Sequence, residues 1–163
     1  MGEAEAVLYV DLDAHQGNGV CHQFMKGERV FIFDMYNEDI YPANDLEARE
    51  RIDANIPLPS SCPGEKYLEI LRQKLPHFLD ALAKAKPPLA IYNAGTDVFS
   101  EDQLGGLGLS EKDVLDRDLF VIQQFRQRGI PFVMLLSGGY SQQSYRLVAN
   151  TVGRLLQSEG TKF

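Results

Sequence analysis

The chain of 163 residues carries 23 acidic against 16 basic side chains, a formal net charge of −7, and 44% of its residues are hydrophobic. That length and apolar content suit one soluble globular domain. The charge argues against a chain that grips nucleic acid unaided, because nothing basic is clustered to displace counterions from a phosphate backbone. No run of about 18 apolar residues is present to span a membrane.

The acidic start, Met1 to Glu5, lacks the basic region of a secretory signal. Cys21 and Cys62 have neither CxxC nor zinc-finger spacing, and free thiols suit a reducing compartment. The expected location is the cytoplasm or the nucleus.

In chain order, Val7-Leu8-Tyr9-Val10-Asp11-Leu12-Asp13-Ala14-His15 predicts a buried strand over residues 6 to 14. Its far end turns polar on one face: in an extended segment Asp11, Asp13 and His15 point the same way while Leu12 and Ala14 face the core. Residues 16 to 25 read as a glycine turn entering a short helix. Arg29 to Asp34 is a second strand, β-branched and aromatic. Tyr36 to Ser61, with three prolines, reads as a long loop with at most an edge strand near 52 to 56.

From Glu65, Leu68, Leu71, Leu75, Phe78, Leu79 and Leu82 recur at helical spacing. Pro76 is expected to kink that helix, since an interior proline costs about 3 kcal/mol, and Pro87-Pro88 to stop it. Leu89 to Gly95 is a third strand, delivering Asp97 just beyond its end. Ser110 and Asp113 have the form of a capping box before a helix with the stripe Val114, Leu115, Leu119, Ile122 and Phe125. Phe132 to Ser137 is a fourth strand, ending in Gly138-Gly139-Tyr140, and Val148, Val152, Leu155 and Leu156 mark a last helix.

Strands alternating with helices predict βαβ units: an α/β fold with an open parallel sheet and helices on both faces. In such sheets the site lies outside the carboxyl ends of the strands. Four strands here end in polar groups: Asp13 and His15, Asp34, Asp97, and Tyr140. Two carboxylates and an imidazole suit Zn²⁺ or Fe²⁺, with an open coordination position for chemistry. The plainer readings stand beside this one. Acids at strand ends also cap helices or bind solvent, Gly138-Gly139-Tyr140 also reads as a helix entry with a packed tyrosine, and His22 and His77 read as surface or packing residues on helices.

At these residues the chain resembles the zinc-dependent histone deacetylase family, most closely its class IV branch. Val10 to Gly19 resembles the family's metal strand, Tyr92-Asn93-Ala94-Gly95-Thr96-Asp97 its second metal loop, and Leu136-Ser137-Gly138-Gly139-Tyr140 its catalytic-tyrosine loop. The resemblance implies a three-layer arginase/deacetylase-like fold. It implies Asp13, His15 and Asp97 as zinc ligands and Tyr140 as the hydrogen-bond donor to the scissile amide carbonyl. Asp11 and Asp34 fall at a structural K⁺ site, and Asn18 at a residue that orients a catalytic histidine. Tyr41, Leu104, Gly138 and Gly139 fall along an acyl-lysine tunnel. The implied reaction is hydrolysis of an acylated lysine in a protein, or of a small acylated amine, with zinc as Lewis acid.

The resemblance runs from Val7 to about Leu156 and corresponds to the C-terminal portion of a longer catalytic domain. Residues 1 to 163 are therefore expected to form one partial domain. The family's tandem histidine pair has no counterpart, since the only histidines are His15, His22 and His77. General acid-base help is typically worth about 10²–10⁴-fold, so an inactive metal- and acyl-binding module and a site completed by a partner chain are alternatives. The strand at Phe132 to Leu136 is expected to lie at an exposed edge.

Overall fold

The computed structural model describes residues 6–82 and 89–159; the acidic Met1 to Glu5 stretch and the Pro87-Pro88 helix stop lie outside the described residues. The apolar runs form five strands: β1 (Val7–Asp11), β2 (Val30–Asn37), β3 (Ala54–Leu58), β4 (Leu89–Asn93) and β5 (Phe132–Leu135). They pair in the order β3-β2-β1-β4-β5, every neighbour parallel. The crossovers contain α1 (Asn18–Gln23), α2 (Leu46–Arg51), α3 (Gly64–Ala81) and α4 (Glu111–Gln127), and α5 (Ser144–Glu159) follows β5.

Side-chain alternation divides the core. Leu8 and Val10 of β1, Phe33 and Met35 of β2, and Ala90 and Tyr92 of β4 share one face with Leu68, Leu71 and Leu75 of α3, Val114, Val121 and Phe125 of α4, and Leu147 of α5. On the other face Ile32 and Tyr36 bury with Cys21 of α1, Ala48 of α2 and Ile52, and Tyr9 and Val30 pack against them. Helices thus cover both faces, as the alternating pattern predicts. Each large aliphatic side chain so buried contributes roughly 1.5–3 kcal/mol. Coverage fails at β5, where Val133 is 48% and Leu135 42% exposed, with Leu136 beyond them at 61%. This edge is the one the sequence predicts to be open.

Several local expectations change. The stretch 36–61 holds α2, whose start is capped by the Asp45 side chain accepting the Ala48 amide, and the paired strand β3. β3 is the edge strand anticipated near 52 to 56, and Pro57 is tolerated in it because it lies at the sheet edge; α2 is the element not anticipated. The helix read from the leucine spacing forms as α3, with Pro76 inside it. The Ser110–Asp113 capping box forms as read, but the buried face of α4 carries Arg117, Asp118 and Val121 while Leu115 and Leu119 are half-buried. On α5 the buried residues are Leu147 and Thr151, while Val152 and Leu156 are exposed. Val114, Ile122 and Phe125 of the α4 stripe are buried as read, and Val148 and Leu155 of the α5 stripe are half-buried.

Register places the chemistry. Asp11 pairs with Asp34 on one side and Asn93 on the other, and Asn93 with Leu135, so the carboxyl ends of four strands form one row.

Candidate metal centre

β1 ends at Asp11, and from there the chain leaves the extended conformation. The Asp13 amide donates to Asp11 Oδ1 at 3.0 Å and the His15 amide to Asp13 Oδ1 at 3.0 Å. Such carboxylate-to-backbone bonds two residues apart compete with a strand ladder. The predicted same-face row of Asp11, Asp13 and His15 is therefore replaced by successive bends. Asp11 stays at the sheet end, where Asn93 Nδ2 donates to it at 2.8 Å, and Asp13 and His15 turn outward.

Asp97 arrives from the loop after β4 and accepts the Ala14 amide at 2.8 Å. The loop after β5 closes the ring: the Gly138 amide donates to Asp13 Oδ2 at 2.9 Å, and its carbonyl accepts the Thr96 amide at 2.5 Å. Glycine is required there, because a Cβ at residue 138 would fall among the carboxylate oxygens of both Asp13 and Asp97.

His15 Nδ1 lies 2.8 Å from Asp97 Oδ2 and 3.2 Å from Asp13 Oδ1. One ligand atom from each of Asp13, His15 and Asp97 falls within 4.8 Å of the others, the one such group among the described residues. Hydrogen bonds to Asp13 and then Asp97 push the His15 imidazolium up to about 10. Burial pushes the Asp97 carboxyl up to about 6; in Asp13 burial acts the same way, but hydrogen bonds with His15 and Asp97 outweigh it and hold the group at about 2. Anions packed this closely demand positive charge. A proton on His15 supplies one, and a divalent ion shared by the same three donors would supply two, so the set fits Zn²⁺ or Fe²⁺.

Tyr140 stands across the mouth, 56% exposed, its ring edge-on to His15 with centroids 6.0 Å apart. Burial and the nearby Asp13 and Asp97 raise its hydroxyl pKa, so it stays a proton donor at neutral pH. An open cavity of about 710 Å³ joins Asp13, His15 and Tyr140 to Asp11, Asn18, Tyr41, Leu104 and Gly138, with Tyr41 and Leu104 exposed at its rim. Gly139 lies behind, where a Cβ would meet Thr96 and Ser144.

The other sequence candidates divide. Asp34 is fully buried beneath the site with Oδ1 unpartnered, while its Oδ2 accepts the Gly17 amide at 2.9 Å. Burial pushes Asp11 up to about 7 and, with Asp11 beside it, raises Asp34 well above the ordinary carboxylate range. An unpartnered oxygen between two buried acids fits a monovalent cation such as K⁺. Asn18 Nδ2 donates to Asp45 Oδ2 at 3.0 Å, which also pairs with His22 Nε2 at 2.9 Å. Its amide therefore ties α1 to α2. His77 is exposed on α3.

Two residues of the site escape a sequence reading. Asp102 ties the loop after β4 to the loop of Tyr140, and its Asp-x-x-Gly form is a turn signal. Arg117 is fully buried and donates to carbonyls of the loops after β1 and β4, and its signal is a lone arginine within the apolar face of α4.

Residues 1–156 match the family model for the histone deacetylase domain. The chain belongs to the histone deacetylase domain family. Among relatives of this deacetylase-family chain, histone deacetylase 2 of Arabidopsis thaliana is 41% identical over 150 residues, covering 91% of this chain and 38% of that protein. An uncharacterised protein of Picosynechococcus sp. is 33% identical over 147 residues, covering 90% and 47%. The fold matches the HDA15 HD domain, with a TM-score of 0.76 at 21% identity over 96% of this chain and 46% of that one. It also matches an acetylpolyamine aminohydrolase from Burkholderia pseudomallei, with a TM-score of 0.74 at 20% identity over 92% and 44%. The chain thus spans less than half the length of these relatives, and its sheet is a part of their domain.

Proposed function

We propose that the chain is the metal-bearing portion of a zinc-dependent lysine deacylase of the class IV type, acting on acylated lysine in a protein substrate. The observation that carries this reading is the convergence of Asp13, His15 and Asp97 within 4.8 Å beside Tyr140. The class assignment rests on the runs Val10 to Gly19 and Tyr92 to Asp97. Asp13, His15 and Asp97 would hold Zn²⁺, with Fe²⁺ as an alternative. When bound, the metal supplies Lewis acidity toward a carbonyl and lowers the pKa of a coordinated water. Tyr140 donates a hydrogen bond to the amide oxygen as charge develops there. Tyr41 and Leu104 flank the acyl chain at the rim, Gly138 keeps the inner wall free of a side chain, and Gly139 lets the loop behind it pass Thr96 and Ser144. Asp11 and Asp34 would hold a structural K⁺ underneath.

The reading extends to partners and place. The bare outer face of β5 and the open cavity suit a further polypeptide portion that walls the tunnel, since the relatives are more than twice as long as their match. Among the described residues no helix is long and apolar enough to cross a membrane, in keeping with work in the cytoplasm or nucleus.

Zinc titration calorimetry tests the core of the proposal. Binding is expected in the parent and in Tyr140→Phe, and is expected to be lost in Asp13→Ala and Asp97→Ala. Hydrolysis of acetyl-lysine and fatty-acyl-lysine peptides should require zinc and Tyr140. A parent chain that binds no zinc overturns the reading.

One observation favours a second reading, a metal- and acyl-binding module without turnover. Of the three histidines, His15 alone lines the cavity, and no second imidazole stands there to shuttle protons. Zinc binding with no hydrolysis at any metal loading would select it. The likeness to an acetylpolyamine aminohydrolase adds small acylated amines to the substrates worth assaying.

A further inference from the structure

Arg117 is fully buried, yet its charge is not spent on a substrate or on the cavity. Its Nε donates to Asp118 Oδ1 at 2.9 Å, and Nη2 lies 2.8 Å from the same oxygen. Its Nη1 reaches past the end of the sheet and donates to two carbonyls, Leu12 O at 3.0 Å and Gly95 O at 2.7 Å. These carbonyls belong to the loops after β1 and β4, where the ladder between the two strands has run out. Asp13 follows Leu12 by one residue, and Asp97 follows Gly95 by two.

We infer that Arg117 is the positioning residue of the metal centre, setting the separation of Asp13 and Asp97 by stapling the two ligand loops together from behind. The inference rests on the metal reading above. At the front, the loops are joined by bonds that involve the ligands themselves: the Ala14 amide to Asp97 Oδ1 and His15 Nδ1 with Asp97 Oδ2. Those bonds must adjust when a metal takes the carboxylates, whereas the Arg117 staple uses main-chain oxygens only and is independent of metal.

The rest of the network aims the guanidinium. Asp118 is 2% exposed, and its Oδ1 also accepts the Tyr92 hydroxyl at 2.5 Å while Oδ2 accepts the Thr151 hydroxyl at 2.8 Å. The sheet and α5 therefore both hold Asp118, and Asp118 holds Arg117 in one rotamer. A buried cation is costly unless it is paired and hydrogen-bonded. This network meets that demand at Nε and Nη1, while Nη2 has the ion-pair contact with Asp118 and no hydrogen bond.

The test is zinc affinity of the whole chain, read by competition with a chromophoric chelator and by the visible spectrum of Co²⁺ in the same site. Arg117→Lys keeps a charge but cannot span Asp118 and both carbonyls; Arg117→Met removes the staple. Support for ligands of this kind is typically worth about 10–100-fold in metal affinity. Arg117→Lys is expected to weaken zinc by about tenfold, Arg117→Met by more, and both to alter the Co²⁺ bands. Thr151→Val is the control, since it weakens the same network without touching either ligand loop. It should lower Tm and leave zinc affinity within about twofold of the parent, well short of a support effect.

If Arg117→Met does not fold, Arg117→Lys and Thr151→Val decide. Unchanged zinc affinity in Arg117→Lys, or an equal loss in Thr151→Val at matched stability, overturns the inference and leaves the metal reading standing. A parent chain that binds no zinc removes both.

Discussion

Asp102 accepts the backbone amide of Tyr140 at 2.6 Å, and the same oxygen accepts Ser141 at 3.0 Å. Its other oxygen accepts Leu104 at 2.9 Å and Gly105 at 3.2 Å. One buried carboxylate therefore locks the loop of the proposed catalytic tyrosine to the loop that lines the cavity rim. An amide in its place accepts through one oxygen only, and hydrogen bonds to a charged group are each worth about 1.5–3 kcal/mol. Asp102→Asn should lower stability by about 2–3 kcal/mol and speed amide exchange at Tyr140 and Ser141 before any other loop. Unchanged exchange there would show that the loop is held by other contacts.

Gly138 sits where a side chain would displace the carboxylates of Asp13 and Asp97. Gly138→Ala is expected to cost at least about tenfold in zinc affinity. Because the added methyl would press on two buried carboxylates, its thermal midpoint should fall as well. Gly153, on α5 with nothing near its missing Cβ, serves as the comparison: Gly153→Ala should leave zinc binding alone.

Asp13, His15, Asp97 and Tyr140 can be read because each stands at the end of an apolar run, and a parallel sheet brings such ends together. The capping box at Ser110 and the stripe of α3 are local patterns that survive folding. Asp102 and Arg117 act on partners 38 and 105 positions away, and no periodicity carries that information. For the same reason the partner of Asn18 is not legible, since Asp45 is the N-cap of α2, a helix not anticipated in the stretch 36–61.

The Asp45 carboxyl is held down at about 2, first by the hydrogen bond from Asn18 and then by that from His22. Its folded value lies below the 3.8 of the unfolded chain. Its stabilisation of the α1–α2 corner is therefore complete above about pH 4 and is lost as pH falls through about 2. Asp45→Asn should have a lower denaturation midpoint than the parent at pH 7, and the two should converge by pH 2. A gap that persists at pH 2 would assign the effect to packing.

Asp11 and Asp34 are buried acids, and Asp34 Oδ1 has no partner. A cation seated there stabilises the folded chain by mass action. KCl should raise Tm above that in choline chloride of equal ionic strength, by roughly 2–4 °C per kcal/mol of binding. Asp34→Asn should abolish the difference. Equal midpoints of the parent in the two salts would mean that the pair is protonated and holds no ion.

Val133 and Leu135 lie on the uncovered face of β5, and Asn93, next to Leu135 across β4, leads from that face into the cavity. An edge strand with exposed apolar side chains templates pairing with other chains. The parent is therefore expected to self-associate as its concentration rises, measured by light scattering. Val133→Lys with Leu135→Lys should suppress that association, because charge on an edge strand blocks pairing. Both positions are exposed, so each change should alter stability by no more than about 0.5 kcal/mol. A parent that stays monomeric, or a double variant that unfolds, would show that this face is neither sticky nor free.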